Sequence, residues 1–224
     1  MVPVPDAGWG RGRGHRATPK GWWPHGPYLP DGAMAIVNVG YVFMAPWMLM
    51  GLEAYCMALA QGDPLVARVI DLLQLSPTDR VLDLFCGLGN FTLPLARRVA
   101  GVTGVEGEAG LVRRARENAA HNGIGNAEFH VADLEGDNEL APWARRSYDK
   151  VLLDPPRSGA AGMMDMLGRM RPGRIVYVSC HPGSLARDAG RLVNEFGYTL
   201  TAAGVMDMFP HTAHVESIAL FARA

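Results

Sequence analysis

Residues 80–91 read RVLDLFCGLGNF, an apolar segment that runs directly into two glycines, Gly87 and Gly89. A continuous apolar run of this length is typical of a strand that is buried on both faces of a parallel sheet. Glycine lets the backbone turn sharply and lets a ligand approach it closely, and open α/β sheets bind their ligands at the carboxyl ends of strands. The segment therefore predicts a buried strand that ends in a ligand-binding turn.

The sequence on either side of this segment alternates between strand-like and helix-like patterns. Further apolar strands are predicted at 102–106, 127–134, 150–156, 174–180, 198–209 and 214–223. Helical spacing of apolar residues is found at 64–75, 91–100, 108–123, 163–170 and 184–197, the last with Ser184 as its expected cap. This alternation predicts an α/β fold with a doubly wound, mostly parallel seven-stranded sheet. Because no helix separates the last two strands, we expect the sheet to end in an antiparallel hairpin.

The composition limits the functions that the chain can have. Its 224 residues carry 21 basic and 22 acidic side chains, for a formal net charge of −1. This balance excludes a polybasic protein that binds nucleic acid through bulk charge, so any such contact must come from a local site. Cys56, Cys86 and Cys180 form no Cys-x-x-Cys pair, which excludes a disulfide framework or a four-cysteine site within the chain. We expect no metal site and a reducing, cytoplasmic location.

The first 62 residues differ in composition from the rest. They are rich in Gly, Pro, Arg and Trp and show neither a helical nor a strand period, so we predict an irregular leader at 1–62 and one domain at 63–224. Residues 32–52 contain no charged side chain, which raises the possibility of a membrane anchor. Asn38, Pro46 and two glycines make this segment a poor spanning helix, and we expect no membrane association.

Acidic residues at the strand ends point to a nucleoside ligand beside the glycine turn. Asp83 precedes the glycines, and Glu106 ends the next strand, where a carboxylate can accept hydrogen bonds from both ribose hydroxyls. The third glycine of a dinucleotide fingerprint is missing, and a tight structural turn would show the same glycine pair. Asp133 closes the third strand and could bind the exocyclic amine of a base, or be a solvated loop acid. Phe85 could pack on the ligand or belong to the core.

Two residues further along the chain suggest covalent chemistry. Cys180 ends an apolar strand within Ser-Cys-His-Pro, where His181 and Arg157 offer positive charge and the following helix presents its positive end. The alternative for such a cysteine is a small buried core residue. Glu216 is the only acid after Met208, on a mostly apolar strand, which suggests either proton transfer or an exposed edge position.

The motifs resemble those of the RNA uracil-5-methyltransferases, a class I S-adenosylmethionine-dependent family. The matching pieces occur in the family's order: VLDLFCGLGNFTLPLA, GVEG, ENAAHNG, DKVLLDPPRSGAAG, RIVYVSCHP, LARD and DMFPHTAHVES. The resemblance implies a Rossmann-like catalytic domain at 63–224, S-adenosylmethionine as cofactor, and an RNA substrate, which we expect to be 23S ribosomal RNA. It implies cofactor contacts at Phe85, Asn90, Glu106, Asp133 and Asp154, a nucleophile at Cys180 and a base at Glu216. Asp83, Gly87 and Gly89 complete the expected cofactor site.

The chemistry of uracil explains why such an enzyme needs a cysteine and a carboxylate. The C5 carbon is a poor nucleophile and carries a hydrogen that must leave. A thiolate that adds at C6 makes C5 nucleophilic, and a base then removes the C5 hydrogen so that the thiol can be expelled. A methyltransferase that acts on an exocyclic amine needs neither group and usually has an aromatic residue where this chain has Arg157. That enzyme class and an inactive cofactor-binding or RNA-binding fragment are the alternatives.

Three basic residues are candidate contacts for the substrate. Arg157, His211 and His214 are candidates for binding RNA, and a metal pair formed by the two histidines without a third ligand is the weaker alternative.

The larger family members carry an RNA-binding β-barrel and often a cysteine set for an iron–sulfur cluster. No cysteine precedes Cys56, so we expect no such cluster in this chain.

Overall fold

The computed structural model describes residues 35–38, 64–207 and 216–223, which form one mixed sheet with helices on both sides. The strands are β1 (Ala35–Asn38), β2 (Arg80–Leu84), β3 (Gly101–Glu106), β4 (Ala127–Val131), β5 (Lys150–Leu153), β6 (Arg174–Ser179), β7 (Thr199–Asp207) and β8 (Glu216–Ala222). The α-helices are α1 (Pro64–Leu73), α2 (Thr92–Ala96), α3 (Ala109–His121), α4 (Met164–Met170) and α5 (Pro182–Asn194), and a 3₁₀ turn (Ala161–Met163) precedes α4.

The strand order confirms the predicted fold class. The sheet runs β1-β7-β8-β6-β5-β2-β3-β4, and β8 is antiparallel to both of its neighbours while the remaining pairs are parallel. The seven strands after residue 63 are those expected from the sequence, including the final hairpin. The eighth, β1, pairs in parallel with β7 from Ala35 opposite Gly204 to Asn38 opposite Asp207. The sequence pattern of residues 1–62 does not predict this strand.

Alternating residues of the central strands enter two different cores, as the period of a strand requires. Val81 and Leu152 face the core formed with α1 and α2, whereas Leu82 and Leu153 face the core that includes α4 and Trp143. All four strand side chains are fully buried. Burial on both faces explains why these strands read as unbroken apolar runs in the sequence.

Much of the N-terminal segment lies outside the described residues. Of the irregular leader predicted at 1–62, the structure describes only residues 35–38, which also belong to the uncharged segment 32–52. The rest of both segments lies outside the described residues. In the part of the chain that the structure does describe, no helix is both long enough and apolar enough to cross a membrane.

The carboxyl end of α1 is held by basic side chains from the sheet. Lys150 of β5 donates from Nζ to the carbonyl oxygens of Leu73 (3.1 Å) and Gln74 (2.9 Å), and Arg174 of β6 donates to that of Leu72 (2.9 Å). The last carbonyls of a helix have no partner within it, so these bonds satisfy acceptors that would otherwise be unpaired.

We expect Lys150→Met to lower the free energy of unfolding, because it removes the donor from the partly buried carbonyl of Leu73 and from the exposed carbonyl of Gln74. The expected loss is about 1–3 kcal/mol, the range for hydrogen bonds to charged groups. Urea denaturation followed by circular dichroism measures it. The exposed Arg98 provides the control, and an Arg98→Met midpoint equal to that of Lys150→Met would contradict the prediction.

Candidate active site

The carboxyl ends of β2, β3, β4 and β5 meet at one edge of the sheet and border a cleft. Because these strands are parallel neighbours, residues that follow them in the sequence converge in space. The cleft has a volume of about 420 Å³ and is lined by Phe85, Glu106, Gly107, Asp133, Leu134, Glu135, Asp154, Pro156 and Ser158. The structure thus brings four of the sequence-predicted cofactor residues, Phe85, Glu106, Asp133 and Asp154, into one site.

The glycine turn that the sequence predicted after β2 has a left-handed backbone at three residues. Gly87 and Gly89 have φ angles of 54° and 87°, and Phe85, which is not a glycine, has a φ of 64°. A bulky residue in this region costs about 1–3 kcal/mol and persists only where the surroundings impose it. The amide of Phe85 donates to the carbonyl of Val105 (2.9 Å), and Asn118 of α3 holds the turn by donating to the carbonyl of Leu88 (3.2 Å).

Glu106 ties this turn to the end of β3. Its carboxylate accepts hydrogen bonds from the amides of Gly87 and Glu108, both at 3.1 Å. Each carboxylate oxygen keeps lone pairs for further donors. The side chain is therefore fixed in place and still able to accept hydrogen bonds from a ligand in the cleft.

Asp83 lies beneath the turn and not on the cleft surface. Its side chain is fully buried, one oxygen accepts from the hydroxyl of Thr92 at 2.5 Å, and Oδ1 has no partner. Burial, together with the negative charges of Asp154 and Glu106, raises the pKa of Asp83 to about 7. Asp83 was predicted to contact a cofactor directly, but its side chain has no exposed surface from which to do so. Asn90, another predicted contact, is a half-buried residue of the same turn.

Asp133 and Asp154 occupy the ends of β4 and β5. Asp133 is exposed, and its Oδ1 accepts from the amide of Glu135 at 3.0 Å. The amide of Asp154 donates to the carbonyl of Leu84 (3.3 Å), which joins the ends of β5 and β2. Burial raises the pKa of Asp154 to about 6. The walls of the cleft are thus strongly acidic.

Cys180, directly after β6, and Glu216, at the start of the neighbouring antiparallel strand β8, lie beside this cleft. Ser179 of β6 is paired with Ser217 of β8, so Cys180 follows β6 at the position where Glu216 begins β8. Both residues are half-buried. Burial, and then the charge of Asp154, raises the pKa of Glu216 to about 7. Burial and the charge of Glu216 raise the pKa of Cys180, and Arg157 acts in the opposite direction.

The turn after Cys180 corrects one expectation from the sequence. Helix α5 begins at Pro182, two residues before Ser184, and its N-cap is His181, whose Nδ1 accepts from the amide of Ser184 at 3.1 Å. The prediction that Ser184 caps this helix is therefore wrong. His181 thus acts here as a helix cap, and the cation whose charge lowers the pKa of Cys180 is Arg157.

Three candidates from the sequence remain, His211, His214 and Cys86. His211 and His214 fall outside the described residues. Cys86 is buried against Phe129 beneath the glycine turn, where Gly104 leaves room for both side chains. Among residues 35–38, 64–207 and 216–223, no group of three or more His, Cys, Asp and Glu side chains is arranged to hold a metal ion.

Comparison with known proteins establishes the family. The model of the tRNA (uracil-5-)-methyltransferase family matches residues 63–224, which is most of the chain. The chain belongs to this family. The resemblance seen in the sequence motifs is thereby confirmed.

Relatives within the family show high identity over the same region. A 23S rRNA (uracil(1939)-C(5))-methyltransferase RlmD of Xanthomonas euvesicatoria pv. vesicatoria is 66% identical over 159 residues, which are 71% of this chain and 36% of that protein. The RlmD of Xylella fastidiosa (strain Temecula1 / ATCC 700964) is 65% identical over 162 residues, which are 72% of this chain and 37% of that protein. The chain therefore spans little more than a third of the length of these relatives.

A solved structure supports the same fold. The crystal structure of a Pyrococcus abyssi tRNA (uracil-54, C5)-methyltransferase, in complex with S-adenosyl-L-homocysteine, superimposes with a TM-score of 0.60. The two sequences are 35% identical, and the match covers 70% of this chain and 37% of that one.

Sequence reasoning missed two residues that build this family member's site and the structural role of a third. Thr92 binds Asp83, Asn118 anchors the glycine turn, and His181 caps the helix that follows Cys180. The only sequence signal for His181 is its place before a proline that begins a helix, because proline is common in a first turn.

We expect Glu106→Gln to weaken binding of S-adenosylhomocysteine. A glutamine has the same shape, but its amide group would face one of the two backbone N–H donors and could not accept from a ribose hydroxyl. The dissociation constant, measured by calorimetry, should rise about 10- to 100-fold. Glu117, exposed on α3, is the matched control, and an equal affinity for the two variants would contradict the prediction.

Proposed function

We propose that this chain methylates C5 of a uridine in RNA, with S-adenosylmethionine as the methyl donor, Cys180 as the nucleophile and Glu216 as the base. The observation that carries the proposal is the position of Cys180 and Glu216 at the ends of adjacent strands, beside Asp154 of the acidic cleft. A thiol and a carboxylate at the edge of a cofactor cleft are the two groups that C5 methylation needs.

The donors and acceptors of the cleft fit this cofactor. S-adenosylmethionine has a cationic sulfonium and ammonium group and two ribose hydroxyls, all of which favour carboxylate partners. Glu106, Asp133 and Asp154 supply carboxylates on the cleft surface, and Asp83 lies buried behind them. Phe85 offers an apolar surface at the same edge. When bound, the cofactor supplies an electrophilic methyl group.

The protein residues act on the uracil ring. The Cys180 thiolate forms a bond to C6, the C5–C6 double bond opens, and the electron pair makes C5 nucleophilic. Once C5 carries the methyl group, the Glu216 carboxylate takes the C5 proton. The electron pair of that C–H bond re-forms the double bond, and the Cys180 sulfur leaves as a thiolate. The target base must lie outside its stack to reach both residues.

Ribosomal RNA is the substrate that we propose. The relatives that are about two-thirds identical over the catalytic region are named as 23S rRNA methyltransferases. Since those relatives are bacterial enzymes that act on ribosomal RNA, we place the reaction in the cytoplasm. The specific nucleotide is chosen by contacts with RNA, for which Arg157, His211 and His214 remain candidates.

A trapping experiment tests the proposal. The chain is incubated with radiolabelled S-adenosylmethionine and a 23S rRNA fragment that contains 5-fluorouridine, whose C5 fluorine cannot be removed by a base. We expect a covalent protein–RNA complex on a denaturing gel. With ordinary uridine labelled with tritium at C5, we expect release of tritium. Cofactor binding without an adduct or tritium release would favour a fragment that has no activity alone, and methylation without tritium release would favour another acceptor.

The rate should rise with pH between about 6 and 8. Glu216 acts as a base only when it is ionised, and burial raises its pKa to about 7. Cys180 acts only as a thiolate, and its pKa is also raised. Below pH 7 both groups are mostly protonated, so kcat should fall about tenfold or more for each pH unit. Initial rates on the RNA fragment measure this, and a rate that is constant or falls from pH 6 to 8 would contradict it.

A further inference from the structure

A buried carboxylate on α5 lies outside the acidic cleft and has no part in the chemistry described above. Asp188 has no solvent-exposed surface. An ionised carboxylate in such a position is expensive unless several donors surround it. The structure supplies these donors from three places in the chain.

The partners of Asp188 connect the sheet, the helix and one loop. Its Oδ2 accepts from the hydroxyl of Tyr177 on β6 (2.7 Å) and from the amide of Ala160 (2.8 Å), and its Oδ1 accepts from Arg187 (2.8 Å). Arg187 in turn donates to the carbonyl of Ser158 at 2.8 Å. The helix thus holds both ends of the short segment 158–160.

The space around this segment requires glycine at its centre. Gly159 has a φ of 84°, and a Cβ placed there would lie 2.6 Å from Arg187 Nη2 and 2.7 Å from Asp188 Oδ2. The backbone at residue 159 therefore lies directly against the charged pair. A close approach of this kind fixes the path of the loop more tightly than a single hydrogen bond does.

The loop that is held carries groups of the proposed active site. Residues 154–160 begin with Asp154 and include Pro156 and Ser158, which line the cleft. Arg157, between them, is the cation that favours the Cys180 thiolate. The first turn of α5 follows Cys180 directly, so the same helix contacts both the nucleophile's turn and the loop.

We propose that Asp188 is a positioning residue which, with Tyr177 and Arg187, holds residues 155–160 so that Arg157 stays beside Cys180 and Ser158 closes the cofactor cleft. The proposal deepens the proposed function and rests on it. Asp188 is buried and Arg187 is half-exposed, and a buried carboxylate whose donors are all in place fixes the geometry of the segments that supply them. Positioning matters for rate because a displacement of about 1 Å can cost about 10²-fold.

Asp188→Asn tests the proposal, because asparagine keeps the shape but loses the charge and cannot accept from all three donors. The first readout is alkylation of Cys180 by iodoacetamide as a function of pH, without RNA or cofactor, followed by peptide mass spectrometry. We expect the alkylation profile of the variant to move to higher pH, and kcat on the RNA fragment to fall about 10²-fold with a smaller change in KM. Asp165→Asn, which breaks an exposed ion pair between α4 and α5, should leave both unchanged.

A second pair of variants keeps the test decisive if Asp188→Asn does not fold. The side chain of Arg187 is half-exposed, so substitution there is tolerated more easily. Arg187→Met should shift the Cys180 alkylation profile in the same direction, and Arg187→Lys, which keeps the charge, should shift it less. An unchanged alkylation profile in every folded variant would overturn the proposal. If the wild type forms no RNA adduct but the profile still shifts, the proposed function fails while the positioning of Cys180 by Asp188 is supported.

Discussion

Cys180→Ala is expected to abolish both methylation of RNA and formation of the covalent complex with 5-fluorouridine RNA. Without the thiolate, C5 of uracil has no means of becoming nucleophilic. The expected loss in kcat is on the order of 10⁴-fold or more, the scale seen when a covalent nucleophile is removed from an enzyme. Binding of S-adenosylhomocysteine should be preserved, because Cys180 is not among the residues that line the acidic cleft.

Cys86→Ala provides the matched control for this experiment. Cys86 is buried below the glycine turn, and burial, followed by the charges of Asp83 and Glu106, raises the pKa of its thiol, so it is a poor nucleophile. This variant should still form the adduct. If Cys86→Ala loses the adduct while it folds and binds cofactor, or if Cys180→Ala retains it, the nucleophile has been assigned to the wrong residue.

Glu216→Gln is expected to stop the reaction after methyl transfer. The glutamine cannot take the C5 proton, so the thioether bond between Cys180 and C6 cannot be eliminated. We expect a covalent complex between the variant and ordinary, unfluorinated RNA, with one labelled methyl group per complex and no release of tritium from C5. Multiple turnover should fall about 10²- to 10⁴-fold, the contribution usual for a positioned general base.

Glu195→Gln is a suitable comparison for the base. Glu195 is an exposed residue that follows α5 and pairs with Arg191, so its loss should leave turnover unchanged. A Glu216→Gln variant that turns over normally would exclude Glu216 as the base. A variant that binds RNA and cofactor but forms no adduct would instead place Glu216 in an earlier step, such as orientation of the ring.

The sequence predicted the parts of the site that depend on local patterns. The central strands β2, β5 and β6 showed their burial through largely apolar residues, and the glycine turn followed β2 directly. Because parallel neighbouring strands end at one edge, the strand pattern predicted that Glu106 and Asp133 lie together, and the resemblance to the family added Asp154. The structure confirms that they line one cleft.

The sequence could not show how distant segments pair. The antiparallel insertion of β8 between β6 and β7 brings Glu216 beside Cys180 and Asp154 and leads to the raised pKa of its carboxyl. Nor did the pattern reveal β1, which pairs with β7 across a long separation in the chain. Such pairing depends on the free energy of contacts between remote segments, which leave no local period in the sequence.

After residue 63, the sequence by itself determined the order of the strands and helices and the glycine turn, and it supplied the residues that we propose as the reactive groups. Only the tertiary structure decided that His181 caps α5, that Asp83 is buried beneath the turn, and that Asp188 binds the loop after β5. The physical reason is that a periodic pattern of apolar residues indicates which positions of a helix or strand are buried. The charge and role of a polar side chain depend on which donors surround it, and these come from other elements.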